Sequence, residues 1–157
     1  MNEELLRIAK YLQSSEYRFR CHEELNIIQL QLRSASGSYE IFFQVKSEFM
    51  LTVSATPSLV VPEGSRGDVA VAVNRANGSL SCGYFEINMD SGDLWFRFKI
   101  PLTDAFPSDQ LLAIALTATL ALTDRYLPAF LAVIYGNEPA KDAIAMVESA
   151  EASHQVG

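Results

Sequence analysis

Histidine and cysteine side chains are the first candidates for chemistry in this sequence, which contains two of each: His22, His154, Cys21 and Cys82. A serine–histidine–carboxylate site would have to use His22, but no serine nucleophile signature accompanies it. Cys21 and His22 are neighbours on a predicted strand, so their side chains would point to opposite faces and could not bind one metal ion together. We therefore predict no catalytic residue, no metal ligand and no cofactor, and hence no enzyme.

Two groups of residues that include aspartate could also carry chemistry. Asp90 and Asp93 flank a predicted turn, where aspartate commonly hydrogen-bonds its own backbone, so we interpret both as turn residues. Asp124, Arg125 and Tyr126 interrupt an otherwise apolar helix, and two interpretations are open. One is an ion pair in a buried functional site. The other, which we favour, is that a kink exposes this turn and that Arg125 caps or bridges a neighbouring element.

Length and charge narrow the class of protein. The 157 residues, 49% hydrophobic and 20% charged, predict one folded domain over residues 1–151 and a loose tail over 152–157. The net charge of −7 would repel phosphate backbones and anionic lipid, which argues against nucleic-acid and membrane partners. The uncharged segment 111–123 is too short to span a bilayer. The acidic N-terminal sequence lacks the features of a secretory signal, so we expect a cytoplasmic protein.

Hydrophobic periodicity predicts the elements that would position these residues. Spacing of three and four residues indicates helices, and alternation indicates strands. The chain is predicted to start with a helix that begins after Asn2, followed by strands at 17–22, 26–33, 39–45 and 49–53. A helix at 63–77 then ends in a left-handed turn at Asn77-Gly78, and a hairpin that turns at 90–93 follows it. The last two elements are a helix from Ser108 to Gly136 with a kink or break at Pro128, and a helix opened by 137–139.

Alternation also predicts the register of the hairpins, because a slip by one residue would turn every side chain to the wrong face. We expect Phe43 opposite Leu51 and Ile41 opposite Val53, with residues 46–48 as the loop. Phe49 is expected to face inward on the second strand of this first hairpin. In the second hairpin we expect Glu86 opposite Arg97 and Tyr84 opposite Lys99, both pairs on the face away from the core, while Met89 faces inward. The predicted fold is α+β, an antiparallel sheet with helices packed on one face.

The face of this sheet that turns away from the helices is the candidate functional surface. Alternation assigns to it a set of apolar residues, Ile27, Phe42, Met50 and Trp95. With the expected register, Met50 would face Gln44 and lie diagonal to Phe42. A cluster that includes Trp and Met outside the core is typical of a protein-binding surface, although scattered exposure remains the alternative.

Several segments in the middle of the chain carry a family resemblance. They are VNRAN at 73–77, GYFEI at 83–87, GDLWFR at 92–97 and DRYLP at 124–128. With the preceding strands, they resemble the bacterial YbjN family over roughly residues 3–136. The resemblance implies a sensory transduction regulator with a fold similar to type III secretion chaperones. That fold is a curved antiparallel sheet packed against helices, of order α-β-β-β-α-β-β-α. It is usually dimeric and binds other polypeptides along its surface. The strand at 17–22 and the helix from Glu138 are additions to that order.

Together these observations predict a non-enzymatic, regulatory or chaperone-like domain that binds another polypeptide and forms a homodimer. The alternative is a small-molecule-binding domain or minor enzyme with a pocket between the sheet and the long helix, lined by Asp124, Arg125 and Tyr126. A structural subunit of a larger complex is a third possibility, which would need a stoichiometric partner for solubility.

Overall fold

Six antiparallel strands form one open sheet in the computed structural model of the chain, which describes residues 2–46, 49–103 and 105–156, with side chains as far as residue 150. The strands are β1 (Arg20–His22), β2 (Ile27–Arg33), β3 (Ser38–Lys46), β4 (Met50–Pro57), β5 (Tyr84–Ile87) and β6 (Leu94–Pro101). Their order across the sheet is β1-β2-β3-β4-β6-β5. The pairing of β4 with β6 therefore joins two hairpins that are separated in the chain.

Four α-helices accompany the sheet: α1 (Glu3–Ser14), α2 (Arg66–Asn77), α3 (Asp109–Tyr135) and α4 (Ala140–Val156). Short 3-10 turns precede β2 and α2, at Glu23–Leu25 and Glu63–Ser65. The predicted α+β fold with helices on one face of the sheet is confirmed. The strand predicted at 17–22 is shorter than expected, since only its last three residues pair with β2.

The core lies between the helices and the apolar face of the sheet. On that face each strand presents alternate hydrophobic side chains, such as Ile41, Phe43 and Val45 of β3, all buried. The buried side chains form two adjoining clusters, and Leu59 and Phe98 pack against both. Alternation correctly assigned this face because a strand with one covered side needs apolar residues at every second position.

The helix ends follow local capping chemistry. The side chain of Asn2 accepts a hydrogen bond from the amide of Leu5 at 2.8 Å, and Ser108 accepts one from Leu111 at 3.1 Å. Gly136 ends α3 as predicted. Of the kink or break predicted at Pro128 the break is wrong, since α3 continues through it. Pro128 lies on the exposed side of the helix, while Leu127 is buried and keeps this turn against the core.

The predicted helix at 63–77 is confirmed as a 3-10 turn followed by α2, with Val69, Ala72, Val73 and Ala76 buried along one side. The predicted left-handed ending is wrong, because Gly78 has a φ of −62°. The side chain of Asn77 instead bonds both backbone groups of Phe85, accepting from its amide at 2.7 Å and donating to its carbonyl at 3.0 Å. Asn77 thus provides hydrogen-bond partners for backbone groups of β5 on its outer side, where no further described strand pairs with it.

Both predicted hairpin registers are wrong by two residues, although the assignment of the strand residues to faces is right. Phe43 lies opposite Val53, and Ile41 lies opposite Ala55. The expected loop at 46–48 is also displaced, because Lys46 pairs with Met50. Residues 47 and 48 lie outside the described residues. Phe49, expected to face inward, is at the turn and 69% exposed.

In the second hairpin, Tyr84 lies opposite Arg97 and Glu86 opposite Trp95. The strand ends at Ile87 because Asn88 starts a turn: its side chain accepts hydrogen bonds from the amides of the two residues that follow Met89. Met89 therefore lies in the turn and is exposed, not inward as predicted.

The C-terminal helix begins where the sequence predicted, and Ala143 and Ile144 bury one of its sides. Its backbone is helical as far as Val156. The loose tail expected at 152–157 stays a prediction, because Gly157 and the side chains from 151 onward lie outside the described residues. The single domain over 1–151 also stays a prediction.

Candidate protein-binding surface

The face of the sheet opposite the helices, which we call the outer face, has an aromatic pair at its centre. The ring centroids of Phe42 on β3 and Trp95 on β6 are 5.7 Å apart, and the rings are inclined at 56°. They meet across β4, where Ser54 pairs with Phe42 on one side and with Arg97 on the other. A small residue at this position lets two large rings from strands on either side of β4 touch.

The other two predicted surface residues lie on the same face but are not part of this pair. Ile27 lies opposite Gln44 and therefore diagonal to Phe42. Met50 lies opposite Lys46, near the turn, so the predicted position of Met50 opposite Gln44 is wrong. All four residues are half-buried. The structure thus brings Phe42 and Trp95 together, with Ile27 one step away and Met50 further along the face.

Cationic side chains border the aromatic pair, a feature that the sequence reasoning did not count as part of the site. The guanidinium carbon of Arg97 lies 5.0 Å from the centroid of the Trp95 ring, and its Nε is 3.5 Å from Oε1 of Glu86. The Nζ of Lys99 lies 5.7 Å from the centroid of the Tyr84 ring. The expected contact between Glu86 and Arg97 therefore forms, but along a diagonal rather than between opposite positions.

A cavity of about 180 Å³ opens beside these groups on the outer face. Thr52 is one of its lining residues; it is 4% exposed and pairs with Gln44 on β3 and Lys99 on β6. Its lining consists of Lys46, Thr52, Tyr84, Glu86, Arg97 and Lys99. Three cations and one carboxylate make this cavity suited to an anionic group.

Asp124, the main candidate for buried chemistry, is tied to the turn between β2 and β3. Its Oδ1 accepts hydrogen bonds from the amide of Ser36 at 2.8 Å and the hydroxyl of Tyr39 at 2.7 Å, and its Oδ2 accepts from the hydroxyl of Ser34 at 3.0 Å. The carboxylate thus joins α3 to the β2–β3 hairpin across almost ninety residues of chain. The serines of the turn at 34–38 gave no signal of this contact in the sequence.

Alkaline pH provides a test of this contact, because the pKa of Tyr39 is raised above its ordinary value of 10.0 by burial and by its hydrogen bond to Asp124. Unfolded Tyr39 loses its proton near pH 10 and folded Tyr39 keeps it, so the stability that it contributes is complete below pH 10 and declines above. Above about pH 10, the free energy of unfolding of the wild type should fall with rising pH more steeply than that of Tyr39→Phe. We expect the two slopes to differ by about 1.4 kcal/mol per pH unit. Denaturant titrations between pH 9 and 11.5 measure both slopes; equal slopes would contradict the expectation.

The favoured interpretation that a kink exposes this turn is wrong, because Tyr126 is buried and Asp124 and Arg125 are half-buried. The neighbours of Asp124 serve packing. Tyr126 is fully buried and donates a hydrogen bond from its hydroxyl to Oε1 of Glu148 at 3.0 Å, which joins α3 to α4. The guanidinium carbon of Arg125 lies 4.9 Å from the centroid of the Tyr126 ring. The cavities of about 390, 330, 610 and 180 Å³ on the described surface have linings that include none of Asp124, Arg125 and Tyr126.

The remaining candidates stand apart from one another. The Nε2 of the exposed His22 is 2.9 Å from Oε1 of Gln29. Cys21 is half-buried, and burial raises the pKa of its thiol. Cys82 is half-buried at the opposite end of the sheet, just before β5. Asp93 accepts a hydrogen bond from Ser91 within the predicted turn. Within the described ranges, no group of three His, Cys, Asp or Glu side chains could hold a metal ion.

In the part of the chain that the structure describes, no helix combines the length and apolarity that crossing a bilayer requires.

The comparisons with known proteins agree with the fold. A family model described as "YbjN: Putative bacterial sensory transduction regulator" matches residues 5–132, which is most of the chain. The chain belongs to the YbjN family. Among solved structures, the chain is similar to the crystal structure of YbjN from E. coli, described as "a putative transcription regulator". The TM-score is 0.58 at 12% sequence identity, with 85% of this chain and 90% of that chain covered. No curated protein matches the sequence.

Membership of the YbjN family confirms the resemblance drawn from the sequence segments and supports a regulatory role. The structural similarity at 12% identity concerns the fold alone. The matched range ends inside α3, so α4, which packs against α2 and α3, lies beyond it. The β1 strand, by contrast, lies within the matched range.

Proposed function

We propose that this YbjN-family protein is a non-enzymatic regulator that acts by binding another polypeptide through its outer face. The observation that carries the proposal is the Phe42–Trp95 pair, two aromatic rings in contact on the face of the sheet that has no helix packed on it. Aromatic side chains are enriched at protein interfaces because they bury much apolar area and lose little conformational entropy.

The proposal includes the four residues singled out in the sequence. Phe42 and Trp95 form the centre, Ile27 extends it towards β2, and Met50 extends it towards the turn after β3. Neighbouring side chains already restrict half-buried side chains of this kind, so less conformational entropy is lost when a partner binds them. We also propose that the protein works in the cytoplasm and forms a homodimer.

The interaction is tested with Phe42→Asp, which places a charge at the centre of the proposed surface. We expect this variant to lose partner proteins that the tagged wild-type chain retains from a native lysate, identified by mass spectrometry. The matched control is Leu6→Asp, which makes the same change at an apolar position of α1 that is 43% exposed on the helical side. Circular dichroism establishes that both variants are folded, and Met50→Asp is a second variant nearer the edge of the surface.

Light scattering on the same set of proteins tests self-association. A dimeric wild type would support the homodimer. If it becomes monomeric in Phe42→Asp but not in Leu6→Asp, the outer face is the dimer contact and not the partner site. Unchanged partners and unchanged mass in a folded Phe42→Asp would contradict the proposed surface. Turnover of a metabolite by the purified protein would instead favour the small-molecule or enzyme alternative.

A further inference from the structure

The outer face differs in charge from the rest of the molecule. Its described strand residues include five of the chain's 12 Lys and Arg side chains and two of its 19 Asp and Glu side chains, so the face carries +3 in a chain of −7. The remainder of the chain therefore carries −10. The charged residues of the face are Arg20, Arg33, Lys46, Arg97, Lys99, Glu40 and Glu86.

This segregation is not a consequence of the alternation, which requires only that the outer residues be polar. Lysine and glutamate are equally suited to a solvated strand face, so the excess of cations needs another reason. The cations that line the cavity lie beside the aromatic pair: Arg97 is over the Trp95 ring, and Lys99 is on the same strand two residues further. An apolar contact and an anion-binding cavity thus adjoin on one surface.

We propose that the occupant of the outer face is an acidic polypeptide segment of a partner protein. Its carboxylates would enter the cavity between Lys46, Arg97 and Lys99, and one of its apolar side chains would pack against Phe42 and Trp95. This inference rests on the proposed function and adds the chemistry of the partner. Carboxylates are matched to the site because a guanidinium and two ammonium groups can each donate charge-assisted hydrogen bonds to them.

The geometry favours a peptide over a single-stranded nucleic acid. Nucleic-acid bases stack on the open faces of aromatic rings. Here Arg97 lies over the Trp95 ring, Phe42 packs against that ring at an inclination of 56°, and both rings are half-buried. The −10 charge of the remaining surface would also repel a long phosphate backbone wherever it extended beyond the face, whereas a short acidic segment ends before it meets that charge.

The test is selection of a randomised dodecapeptide display library on the full-length protein. We expect the enriched peptides to carry net negative charge together with an aromatic or aliphatic residue. A labelled enriched peptide should bind the double variant Lys46→Glu/Lys99→Glu about tenfold or more weakly. The matched control is Lys10→Glu/Lys141→Glu, which changes the net charge equally at exposed helical positions and should leave the affinity unchanged.

Each outcome distinguishes the inference from the proposed function. Enrichment of neutral or basic peptides, or equal weakening in the two double variants, would overturn the acidic partner. If the peptide binding is lost in Phe42→Asp but kept in Lys46→Glu/Lys99→Glu, the surface is right and the inference wrong. If neither variant affects it, both fail. Tighter binding of a single-stranded oligothymidine, lost in the same double variant, would overturn the inference in favour of a nucleic acid.

Discussion

Replacement of Asp124 by alanine is expected to lower the free energy of unfolding by about 2–4 kcal/mol. The carboxylate accepts three hydrogen bonds, from Ser34, Ser36 and Tyr39, that hold the β2–β3 turn against α3. Alanine would leave the hydroxyl of Tyr39 without its acceptor, and that ring is fully buried. A buried donor without a partner costs about 1–3 kcal/mol by itself. Urea denaturation monitored by circular dichroism measures the change.

Asp124→Asn is the matched control, because an asparagine oxygen can accept from the Ser36 amide and the Tyr39 hydroxyl while its amide donates to the Ser34 hydroxyl. We expect this variant to lose much less stability than Asp124→Ala. The comparison also tests whether Asp124 belongs to a functional site, the other interpretation of the Asp124-Arg125-Tyr126 run. Loss of partner binding or of an activity in Asp124→Asn, at nearly unchanged stability, would contradict the structural role and indicate a functional carboxylate.

Truncation of Phe85 to alanine is expected to cost about 3–5 kcal/mol of unfolding free energy. Its ring is at the centre of an aromatic cluster, 5.1 Å from the centroids of Phe96 and Phe130 and 5.5 Å from that of Tyr126, in edge-to-face arrangements. Only 3% of Phe85 is exposed, so the truncation would leave a cavity where β5, β6 and α3 meet. Thermal and urea denaturation measure the loss.

Met89→Ala is the comparison within the same hairpin. Met89 lies two residues after the end of β5 and is 51% exposed, so its truncation should change the stability by less than about 0.5 kcal/mol. Phe85→Leu should fall between the two, because it keeps an apolar side chain and removes the edge-to-face contacts. A cost below about 1 kcal/mol for Phe85→Ala would contradict the assignment of this cluster as a centre of the core.

The candidate surface shows where sequence reasoning reaches and where it stops. Alternation placed Phe42 and Trp95 on one face, but they are more than fifty positions apart in the chain. Their contact depends on β4 lying between β3 and β6, and no hairpin specifies the pairing of β4 with β6. The cationic cavity follows from the same pairing, since it draws Lys46 from β3 and Lys99 from β6.

The two hairpin registers illustrate the limit at shorter range. Parity requires inner residues to oppose inner residues, and shifts by two satisfy it equally well. In the second hairpin the turn made the choice: Asn88 ends β5 at Ile87 through bonds to its own loop, and Arg66 on α2 donates to the loop carbonyls of Met89 and Asp90. The contribution of Arg66 comes from another element and could not be seen in the hairpin itself.

The sequence by itself determined which residues are helical, which alternate, and which side of each strand is apolar, because those properties depend on neighbours within a few positions. It also contained the segments that mark the YbjN family. Only the tertiary structure decided the strand order, the exact cross-strand partners, the tie between Asp124 and the β2–β3 turn, and the juxtaposition of the aromatic pair with the cations. Each of these depends on contacts between distant parts of the chain, for which the local pattern allows several arrangements of nearly equal energy.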